Sequence, residues 1–589
     1  MHLLHKIKLT TPTAILMLLA LPFLAKAQSY TELKDSKPFD SSEVWNKSLK
    51  SNFNFVWGNT DTRYPKLSIP NKDGSSGTIR LTAWHGERVN AQAVFYTKVD
   101  LNDVSFIVSD LKNGRNTISS SQIKVQPVSY VMTDELNKDG KGGCGHRPDP
   151  TAFDSTLVAD VLNNEHLNLS VEAFTTKPVW LNISVPQNIK SGKYSGTLTA
   201  TAQGKSINLN IVVEVKNHQL ATPSDWAFHL DLWQNPYAVA RYHNVSLWSN
   251  EHFELMKPIM KMLADAGQKV ITTTIMHKPW AGQTEDPFDS MVSKIKNIDG
   301  TWEYRYDVFD KWVSFMMSEA GITEQINCYT MIPWAMSFDY YDVASNSIKF
   351  VEAQTDSKEF EDYWLPFLTD FANHLKAKGW FDKTTIAMDE RAMSDMQNTI
   401  KIIKKADPNY KVSLAGNYHA EIEADIYDYC IAFEQQFPKS IKEKRDSQNK
   451  RSTVYTCCTE PFPNTFTFSA PAEATWTIWH ALAGNYDGYL RWAYNSWTKS
   501  PLQDSRFRTW AAGDCYLVYP DGRSSIRFER LIEGIQDFEK VNTLRNKFSG
   551  NPGKLKKLED IISTFTLSTM GDNTTEKQVR KARNILNSL

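Results

Sequence analysis

The chain has 589 residues, of which 23% are charged and 12% aromatic, and its 66 basic residues nearly balance its 67 acidic ones. This length exceeds what one hydrophobic core usually organises, so we expect more than one domain. Because the net charge is only -1, the sequence lacks the basic field that attracts nucleic acid or an anionic membrane surface.

The first 27 residues have the pattern of a secretion signal. His5, Lys6 and Lys8 precede an apolar run at 14–24, and the small-x-small pattern Ala-Lys-Ala follows at 25–27. The apolar run is too short to span a bilayer stably, and no other run in the sequence is suitable. We therefore expect a chain that is exported to the periplasm and has no integral membrane segment once the signal is removed.

Residues 28–222 have the pattern of short strands separated by turns. Apolar and polar residues alternate at 78–84 and 91–96, and the segments 194–202 and 206–215 flank the turn Gln203-Gly204-Lys205 as in a hairpin. Helical periodicity is nearly missing from this region. The pattern predicts an N-terminal β-sandwich.

From residue 223 to residue 515, strand-length apolar runs alternate with helical stretches. The predicted strands are 228–232, 270–275, 326–331, 385–388, 412–414, 430–433, 454–457 and 489–492. The helical candidates are 251–266, 308–320, 357–377, 393–406 and 471–483. Eight strand–helix repeats predict a (β/α)8 TIM-like barrel. A doubly wound open sheet is the alternative, but no Gly-x-Gly-x-x-Gly stands at a strand–helix junction to favour it.

The segment 516–589 is predicted to be a short C-terminal extension with a hairpin and a helical cap. After a turn at 520–522, apolar residues recur along one helical face, which we expect to pack on the barrel. These residues are Phe528, Leu531, Ile532, Ile535, Phe538 and Val541.

Metal and cofactor motifs are missing from the sequence. The six cysteines are few for this length, so no disulfide framework is expected, and neither Cys-x-x-Cys nor His-Glu-x-x-His occurs. A Gly-rich loop at 140–147 lacks the spacing of a phosphate-binding loop. We therefore expect no metal and no cofactor.

Two adjacent carboxylates, Asp389 and Glu390, follow the predicted strand 385–388. Catalytic side chains of a barrel gather at the carboxyl ends of its strands, and paired carboxylates there indicate acid–base work on a glycosidic bond. At about 6 Å and an effective dielectric of about 20, two such charges repel by roughly 3 kcal/mol, so one carboxyl tends to keep its proton. The alternative is that Asp389 only caps the next helix while Glu390 is solvated.

Aromatic and amide residues follow other predicted strands and would meet at the same mouth of the barrel. They occur at 233–235, 333–334, 417–419, 434–435 and 491–497. His419 with Glu421 and Glu423 has a spacing that a metal site could use, but this spacing is more typical of a solvated loop or helix face. A packing role is as reasonable as ligand contact for any single residue, whereas the shared location favours a binding site.

Several of these motifs, taken in order, resemble glycoside hydrolase family 123, the β-N-acetylgalactosaminidases. They are Gly86-Glu87-Arg88-Val89, Pro186…Gly192-x-Tyr194-x-Gly196, Met388-Asp389-Glu390, Arg491-Trp492-x-Tyr494-Asn495, and Tyr519-Pro520…Ser525-Ile526-Arg527…Gly534-Ile535-x-Asp537-Phe538-Glu539. The resemblance covers most of the chain after the signal.

The resemblance implies substrate-assisted retaining hydrolysis, in which the sugar's own 2-acetamido oxygen attacks the anomeric carbon. Glu390 would then be the general acid and afterwards the base, and Asp389 would accept a hydrogen bond from the acetamido N–H. Trp492 and Trp497 would support the sugar ring. Trp334, His419, Tyr494 and Asn495 would contact its hydroxyls and acetamide.

The sequence thus predicts an exported enzyme that removes terminal β-linked N-acetylhexosamine, favouring N-acetylgalactosamine, with a glycan as its partner. Two alternatives stay open. One is a glycosidase for sugars without an acetamide, which would use Glu390 and a second carboxylate such as Glu434. The other is a catalytically silent glycan-binding protein. The sequence does not indicate the linkage, the choice between galacto and gluco sugars, or the oligomeric state.

Overall fold

The computed structural model describes residues 32–35, 40–71, 77–134, 155–508, 510–570 and 575–589. The predicted secretion signal at 1–27 and the Gly-rich loop at 140–147 lie outside the described residues. Within the described ranges, no helix is both long and apolar enough to cross a bilayer. The residues from Glu32 onward pack together as one unit.

The predicted β-sandwich is present and is built from two sheets. Its strands are Phe53–Trp57 (β1), Thr78–His85 (β2), Arg88–Thr97 (β3), Leu101–Val108 (β4), Leu111–Asn113 (β5), Asn116–Ile118 (β6), Ile123–Thr133 (β7), Thr156–Leu162 (β8), Leu169–Val171 (β9), Thr175–Ser184 (β10), Gly192–Ala202 (β11) and Lys205–Gln219 (β12). One sheet has the order β1-β3-β10-β7-β8, and the other has β2-β12-β11-β4-β9 with β5 and β6 at its side.

The sandwich core follows from the alternation seen in the sequence. Phe55 and Phe95 come from one sheet and meet Phe106 of the other, with ring centroids 5.6 Å apart in each case. The hairpin predicted between β11 and β12 also forms. Its turn residues Gln203 and Gly204 both have positive φ, at 49° and 68°, which matches the twist of a two-residue hairpin.

The second half of the chain holds twelve further strands within the described residues. In chain order they are His229–Leu232 (β13), Val270–Thr274 (β14), Ser293–Lys296 (β15), Trp302–Arg305 (β16), Gln325–Tyr329 (β17), Ser337–Asp342 (β18), Ser347–Glu352 (β19), Thr384–Asp389 (β20), Lys411–Gly416 (β21), Asp428–Ala432 (β22), Arg451–Tyr455 (β23) and Gly488–Arg491 (β24). Eight of them form one sheet of parallel strands in the order β13-β24-β23-β22-β21-β20-β17-β14.

This sheet curls into the predicted barrel. Its two outer strands are joined by a parallel bridge between Leu230 and Gln268, where the Lys269 N–H donates to the Leu230 carbonyl at 3.0 Å. All eight predicted barrel strands overlap the observed ones. The doubly wound alternative is wrong, because an open sheet would leave these edges unpaired.

The helices are Ser42–Ser48 (α1), Pro236–His243 (α2), Asn250–Ala264 (α3), Asp307–Phe315 (α4), Lys358–Lys378 (α5), Met393–Ala406 (α6), Lys439–Ser447 (α7), Pro471–Ala483 (α8), Ile526–Lys547 (α9), Pro552–Ile562 (α10) and Thr575–Ser588 (α11). The five predicted barrel helices overlap α3, α4, α5, α6 and α8. The longest of these, α5, shows the usual end signals: Ser357 caps its first turn, and Gly379 ends it at φ 69°.

A four-stranded sheet, in the order β16-β15-β18-β19, was not predicted. Its strands are inserted on either side of β17, and we call it the insert sheet. Its inner face packs on α5, where Trp302 lies edge-on to Tyr363 and Phe338 lies edge-on to Trp364. The insert sheet thus adds a wall beside the barrel mouth.

Helix α9 is buried on all sides over most of its length, whereas the sequence predicted one buried face. One side packs on α8 of the barrel. On the other side its charged residues meet the sandwich, where Lys540 pairs with Glu87 and Glu533 accepts a hydrogen bond from Asn90 at 2.8 Å. The helix is therefore a joint between sandwich and barrel and not only a cap.

Candidate active site

Asp389 is the last residue of β20, and Glu390 follows it at the carboxyl end of the barrel. The Glu390 N–H donates to the Ala415 carbonyl at 3.1 Å, so the ladder between β20 and β21 continues for one residue beyond the strand. The chain then turns at Ala392, the N-cap of α6. Both carboxylates keep part of their surface exposed, about 20% for Asp389 and 31% for Glu390.

Glu390 is held by the loop that follows β21. The backbone N–H of Asn417 donates to Oε2 at 2.7 Å, and the Asn417 side-chain amide donates to Oε1 at 3.1 Å. Nε2 of His419 lies 2.9 Å from Oε1. The Glu390 side chain also crosses directly over Gly416, where an added Cβ would lie 2.6 Å from its own Cβ.

Neighbouring residues hold this loop in place. The phenol of Tyr429 accepts the His419 N–H at 2.7 Å and donates to the Asn417 carbonyl at 2.8 Å. Gln435 accepts the Tyr418 N–H at 2.6 Å and donates to the Asn417 side chain. The donors around Glu390 are therefore positioned before any substrate arrives, which is what electrostatic catalysis requires.

Asp389 turns toward the loops after β14 and β17. The Trp280 indole N–H donates to Oδ2 at 2.7 Å, and the Arg391 guanidinium lies 3.9 Å from the same oxygen. Burial raises the pKa of Asp389, while the Arg391 charge and the indoles of Trp280 and Trp334 act in the opposite direction. In the free protein, burial thus favours a protonated Asp389. This tendency runs against the role that the resemblance implies for Asp389, because an ionised carboxylate is the better acceptor for an acetamido N–H.

An aromatic cluster lies next to Asp389. Trp233 stacks on Trp280 with centroids 5.1 Å apart, and Tyr329 lies 4.4 Å from Trp233 and 5.3 Å from Trp280. Trp233 directly follows β13, Tyr329 ends β17, and Trp280 comes from the loop after β14. Together with Asp389 they form an apolar wall that carries one carboxylate acceptor.

Two family profiles match the chain. The profile of the glycoside hydrolase 123 catalytic domain matches residues 233–544, and the profile of the glycoside hydrolase 123 N-terminal domain matches residues 57–202. The chain belongs to glycoside hydrolase family 123. It is therefore a glycosidase that acts on a glycan, and the resemblance drawn from its motifs is confirmed.

Among solved structures, a family 123 glycoside hydrolase from Clostridium perfringens is similar to this chain at a TM-score of 0.81 and 28% identity. The match covers 91% of this chain and 97% of that one, whose structure was reported with the details of glycolipid glycan hydrolysis. A β-glucuronidase from Parabacteroides merdae matches at a TM-score of 0.29 and 9% identity, over 77% of this chain and 50% of that one. At this TM-score the two folds are not closely similar. No curated protein sequence matches the chain.

Three of the predicted substrate contacts of this family 123 enzyme lie at the barrel mouth. Trp334 is 55% exposed, and the Arg391 guanidinium stands 5.5 Å from its ring centroid. His419 contacts Glu390 through its ring. Trp492 is half-buried, with its indole N–H 3.3 Å from Asp514 and its ring 6.0 Å from that of Trp510.

The other three predicted contacts are buried and occupied by protein partners. The Tyr494 hydroxyl donates to the Ile259 carbonyl at 2.8 Å, and the Trp497 indole donates to the Val518 carbonyl at 2.8 Å. The Asn495 side chain accepts the Asn235 N–H at 2.9 Å and donates to the Asn235 carbonyl at 2.8 Å. The structure places these three side chains in the interior, because the chain bends into the core directly after Trp492. Their contact with sugar stays a prediction.

The alternative partners considered from sequence lie elsewhere. Glu434 is exposed at the turn after β22, and Glu423 is buried in an ion pair with Arg445 at 3.1 Å. His419 contacts Glu390 instead of Glu423. In the described part of the chain, no three His, Cys, Asp or Glu side chains are grouped so that they could hold a metal ion.

Sequence reasoning missed Trp280 as a site residue. It lies in an irregular loop after β14, where no strand or helix period indicates its direction. Its only sequence signal is its place after a barrel strand, in the loop class where barrel enzymes carry their function.

Proposed function

We propose that the protein removes terminal β-linked N-acetylhexosamine, with N-acetylgalactosamine as the favoured sugar, by substrate-assisted retaining hydrolysis. The proposal rests mainly on the surroundings of Asp389, a largely buried carboxylate beside the aromatic wall of Trp233, Trp280 and Tyr329. An acetamide group presents an N–H and a methyl group side by side. This wall offers one acceptor and one apolar surface for them.

Asp389 orients the acetamide in this proposal. Its free carboxylate surface accepts the acetamido N–H, and the methyl group packs on the indole rings. Because burial raises the pKa of Asp389, the incoming N–H donor and the positive charge that develops on the cyclising amide help to hold the carboxylate ionised. In a poorly hydrated site such an interaction is stronger than in water.

Glu390 transfers the proton. The acetamido oxygen attacks the anomeric carbon, the glycosidic C–O bond breaks, and the leaving oxygen takes the proton of Glu390. Water then attacks the same carbon, returns a proton to Glu390 and reopens the oxazoline ring. Nε2 of His419, 2.9 Å from Oε1, helps to hold the Glu390 carboxyl in one orientation through both steps.

The first experiment compares release of nitrophenol from the β-N-acetylgalactosaminide and the β-N-acetylglucosaminide. We expect both to be cleaved, the galacto form faster, and a thiazoline mimic of the cyclised intermediate to inhibit. Asp389→Asn and Glu390→Gln should each lower kcat/KM by about 10²-fold to 10⁴-fold. The exposed Glu421→Gln, in the loop that carries His419, is the matched control and should be unaffected.

The double-displacement alternative predicts the opposite pattern. Under that mechanism, glycosides without an acetamide would be cleaved and the thiazoline would not bind. Such a result, together with full activity of Asp389→Asn, would refute the substrate-assisted mechanism while leaving the glycosidase assignment intact.

We also propose that the chain is exported to the periplasm, on the basis of the charged start, apolar run and small-x-small pattern at 1–27. Expression in a bacterium, followed by fractionation and N-terminal sequencing, tests this proposal. The mature protein should appear in the periplasmic fraction with Gln28 as its first residue. A cytoplasmic protein that retains residues 1–27 would contradict it.

A further inference from the structure

The outer face of the insert sheet presents several exposed apolar side chains. On β19, Ile348 is 67% exposed and Phe350 is 53% exposed, and Tyr341 lies opposite Ile348 on β18. Strand β19 is also the edge of its sheet. An exposed apolar face on an edge strand tends to pair or aggregate with other chains, so a face of this kind usually marks a binding site.

This face forms the floor of a groove, which we call the insert groove. One part has a volume of about 690 Å³ and is lined by Ile295, Tyr341, Ile348 and Phe350, with the polar residues His277, Asn297, Asp289 and Asp339 along it. A second part of about 510 Å³ shares His277 and Phe350 and continues over Ala335 to Arg508. The two parts follow each other along the same wall.

The loops that border the insert groove also build the active site. The loop after β14 supplies His277 to the groove and Trp280 to Asp389. The loop after β17 supplies Ala335 to the groove and Trp334 to the barrel mouth. The Trp334 N–H donates to the Pro279 carbonyl at 3.2 Å and joins the two loops. The insert groove is therefore continuous with the catalytic end of the barrel.

The groove rim contains backbone strain. Lys278, Ala281 and Arg508 have φ values of 53°, 48° and 49°, a region that side chains other than glycine and asparagine seldom adopt. The Arg508 guanidinium donates to the Gly282 carbonyl at 3.1 Å and fastens one part of this rim to the other. Strain of this kind persists where a ligand site needs a particular backbone path.

The chemistry of the groove indicates its ligand. Flat aromatic faces alternate with carboxylates and an amide, which suits the C–H faces and hydroxyls of sugars. Across both parts the carboxylates equal the lysines and arginines in number, so the groove has no marked excess of positive charge for an anionic lipid. These groups are Asp289, Asp339, Glu303 and Glu285 against Lys278, Lys294, Arg305 and Arg508. The groove is also concave, whereas a membrane surface needs a protruding apolar patch.

We propose that the insert groove binds the neutral oligosaccharide that extends beyond the sugar being removed. The inference deepens the proposed function, on which it rests for the identity of the terminal sugar. It makes the insert sheet a determinant of substrate length. Short aryl glycosides occupy only the barrel mouth, and longer glycans gain contacts with Tyr341 and Phe350.

Calorimetric titration of the Glu390→Gln protein tests the groove without turnover. The probes are a lipid-free neutral disaccharide and tetrasaccharide, each with a terminal β-linked N-acetylgalactosamine. We expect the tetrasaccharide to bind at least about tenfold tighter, and Phe350→Ala or Tyr341→Ala to remove most of this advantage. Ile107→Ala on β4 is the matched control, because Ile107 is 54% exposed on a strand of the sandwich. It should leave both affinities unchanged.

Equal affinity for the two probes, or a tetrasaccharide affinity that Phe350→Ala and Tyr341→Ala do not change, would overturn the proposal. So would binding to neutral phospholipid vesicles or concentration-dependent dimerisation that Phe350→Ala abolishes, because either result would assign the face to another partner. Sedimentation with vesicles and analytical ultracentrifugation measure these two outcomes.

Kinetics separate this inference from the proposed function. For Phe350→Ala, the ratio of kcat/KM on the tetrasaccharide to kcat/KM on the aryl β-N-acetylgalactosaminide should fall about tenfold, mainly through KM. If the wild-type protein cleaves the aryl glycoside and the ratio stays constant, the groove assignment is wrong and the proposed function stands. If the wild-type protein cleaves no N-acetylhexosaminide, the proposed function is wrong, and the titration still reports on the groove.

Discussion

Gly416 sits beneath the Glu390 side chain, and its missing side chain makes room for the acid. An alanine there would place a Cβ 2.6 Å from Glu390 Cβ and 3.1 Å from Oε2. We expect Gly416→Ala to displace the carboxylate and to lower kcat by about 10²-fold, because misplacement of a catalytic group by about 1 Å has effects of this size. Gly553→Ala is the matched control, since its Cβ would meet nothing closer than 3.8 Å.

Steady-state kinetics, with thermal unfolding as a check on folding, measures this effect. Full activity of Gly416→Ala would show that the acid tolerates a shifted position. In that case the fixed donors of Asn417 and His419 would not be what positions Glu390 for catalysis.

The charge on Asp389 sets an expected pH dependence. The proposed role of Asp389 needs its ionised form, which is populated above its pKa. Arg391 lowers that pKa, so Arg391→Gln should raise it and move the acid limb of the kcat/KM profile to higher pH. Arg391→Lys keeps the positive charge and should shift the limb less. If the acid limb of Arg391→Gln stays at the same pH or moves to lower pH, the ionisation that controls kcat/KM is not that of Asp389.

A variant of Tyr494 distinguishes a packing role from contact with the sugar. Tyr494→Phe leaves the Ile259 carbonyl without its buried donor, so we expect a loss of about 1 kcal/mol in the free energy of unfolding. KM should not change, because the hydroxyl does not reach the barrel mouth. A raised KM with unchanged stability would restore the sugar-contact role that the sequence suggested.

At the scale of single residues, the sequence identified the carboxylates at the end of a regular strand and missed a side chain delivered by a loop. Asp389 and Glu390 were predictable because strand β20 ends where its apolar run ends. Trp280 was not, since only the folded loop brings it to Asp389. The burial of Tyr494 was not predictable, because the sequence after β24 does not show that the chain turns inward.

Helix α9 carries a buried ion pair in its contact with the sandwich. Lys540 and Glu87 are both fully buried, and Glu87 also accepts the Trp84 N–H at 2.7 Å. Lys540→Met would remove the nearer cation from Glu87 and leave it Arg583 at 4.0 Å, and loss of one partner of a buried pair typically destabilises a protein by about 3–5 kcal/mol. Urea unfolding followed by tryptophan fluorescence would measure the loss.

The partner variants make this expectation specific. Glu87→Gln combined with Lys540→Met should recover part of the loss, because the unpaired charge is then removed. Lys556→Met breaks an exposed pair with Asp560 at 2.7 Å and should change stability little. Equal losses of unfolding free energy in Lys540→Met and Lys556→Met would mean that the Lys540–Glu87 pair does not stabilise the contact between α9 and the sandwich.

At the scale of elements, regular barrel units were predictable and the interfaces between them were not. The strand–helix alternation predicted the eight barrel strands and five of their helices, since each unit has its own periodicity. The polar face of α9 has the spacing of a solvated surface. It is buried because it meets the amides of Asn90 on β3 and Asn182 on β10 and the carboxylate of Glu87 in the turn before β3. The insert strands mix charged and aromatic residues and have no helix between the members of each pair, so the strand–helix alternation does not reveal them.

Buried charged groups join the sandwich to the barrel, and each half would lose ion-pair partners if the other were removed. Arg527 donates to Asp160 at 3.0 Å, and Asp160 also meets Arg63 at 3.0 Å inside this contact. A protein shortened to begin at Pro223 would lose these partners and expose the buried side of α9. We expect it to lack a cooperative unfolding transition and to aggregate.

Circular dichroism and size-exclusion chromatography check this expectation. A monomeric, cooperatively unfolding barrel that still cleaves an aryl glycoside would contradict it. It would show that the N-terminal half is a separable module.

Arg583 of α11 has an effect on the order in which the molecule can assemble. Its guanidinium donates to Glu533 at 2.8 Å and lies 3.3 Å from Asp537 and 4.0 Å from Glu87. Arg583 therefore supplies positive charge to a contact that also includes Glu87, a residue made early in synthesis. A ribosome delivers Glu87 long before it delivers Arg583. The contact between the sandwich and the barrel therefore reaches its full stability only after Arg583 has been synthesised and has left the ribosome.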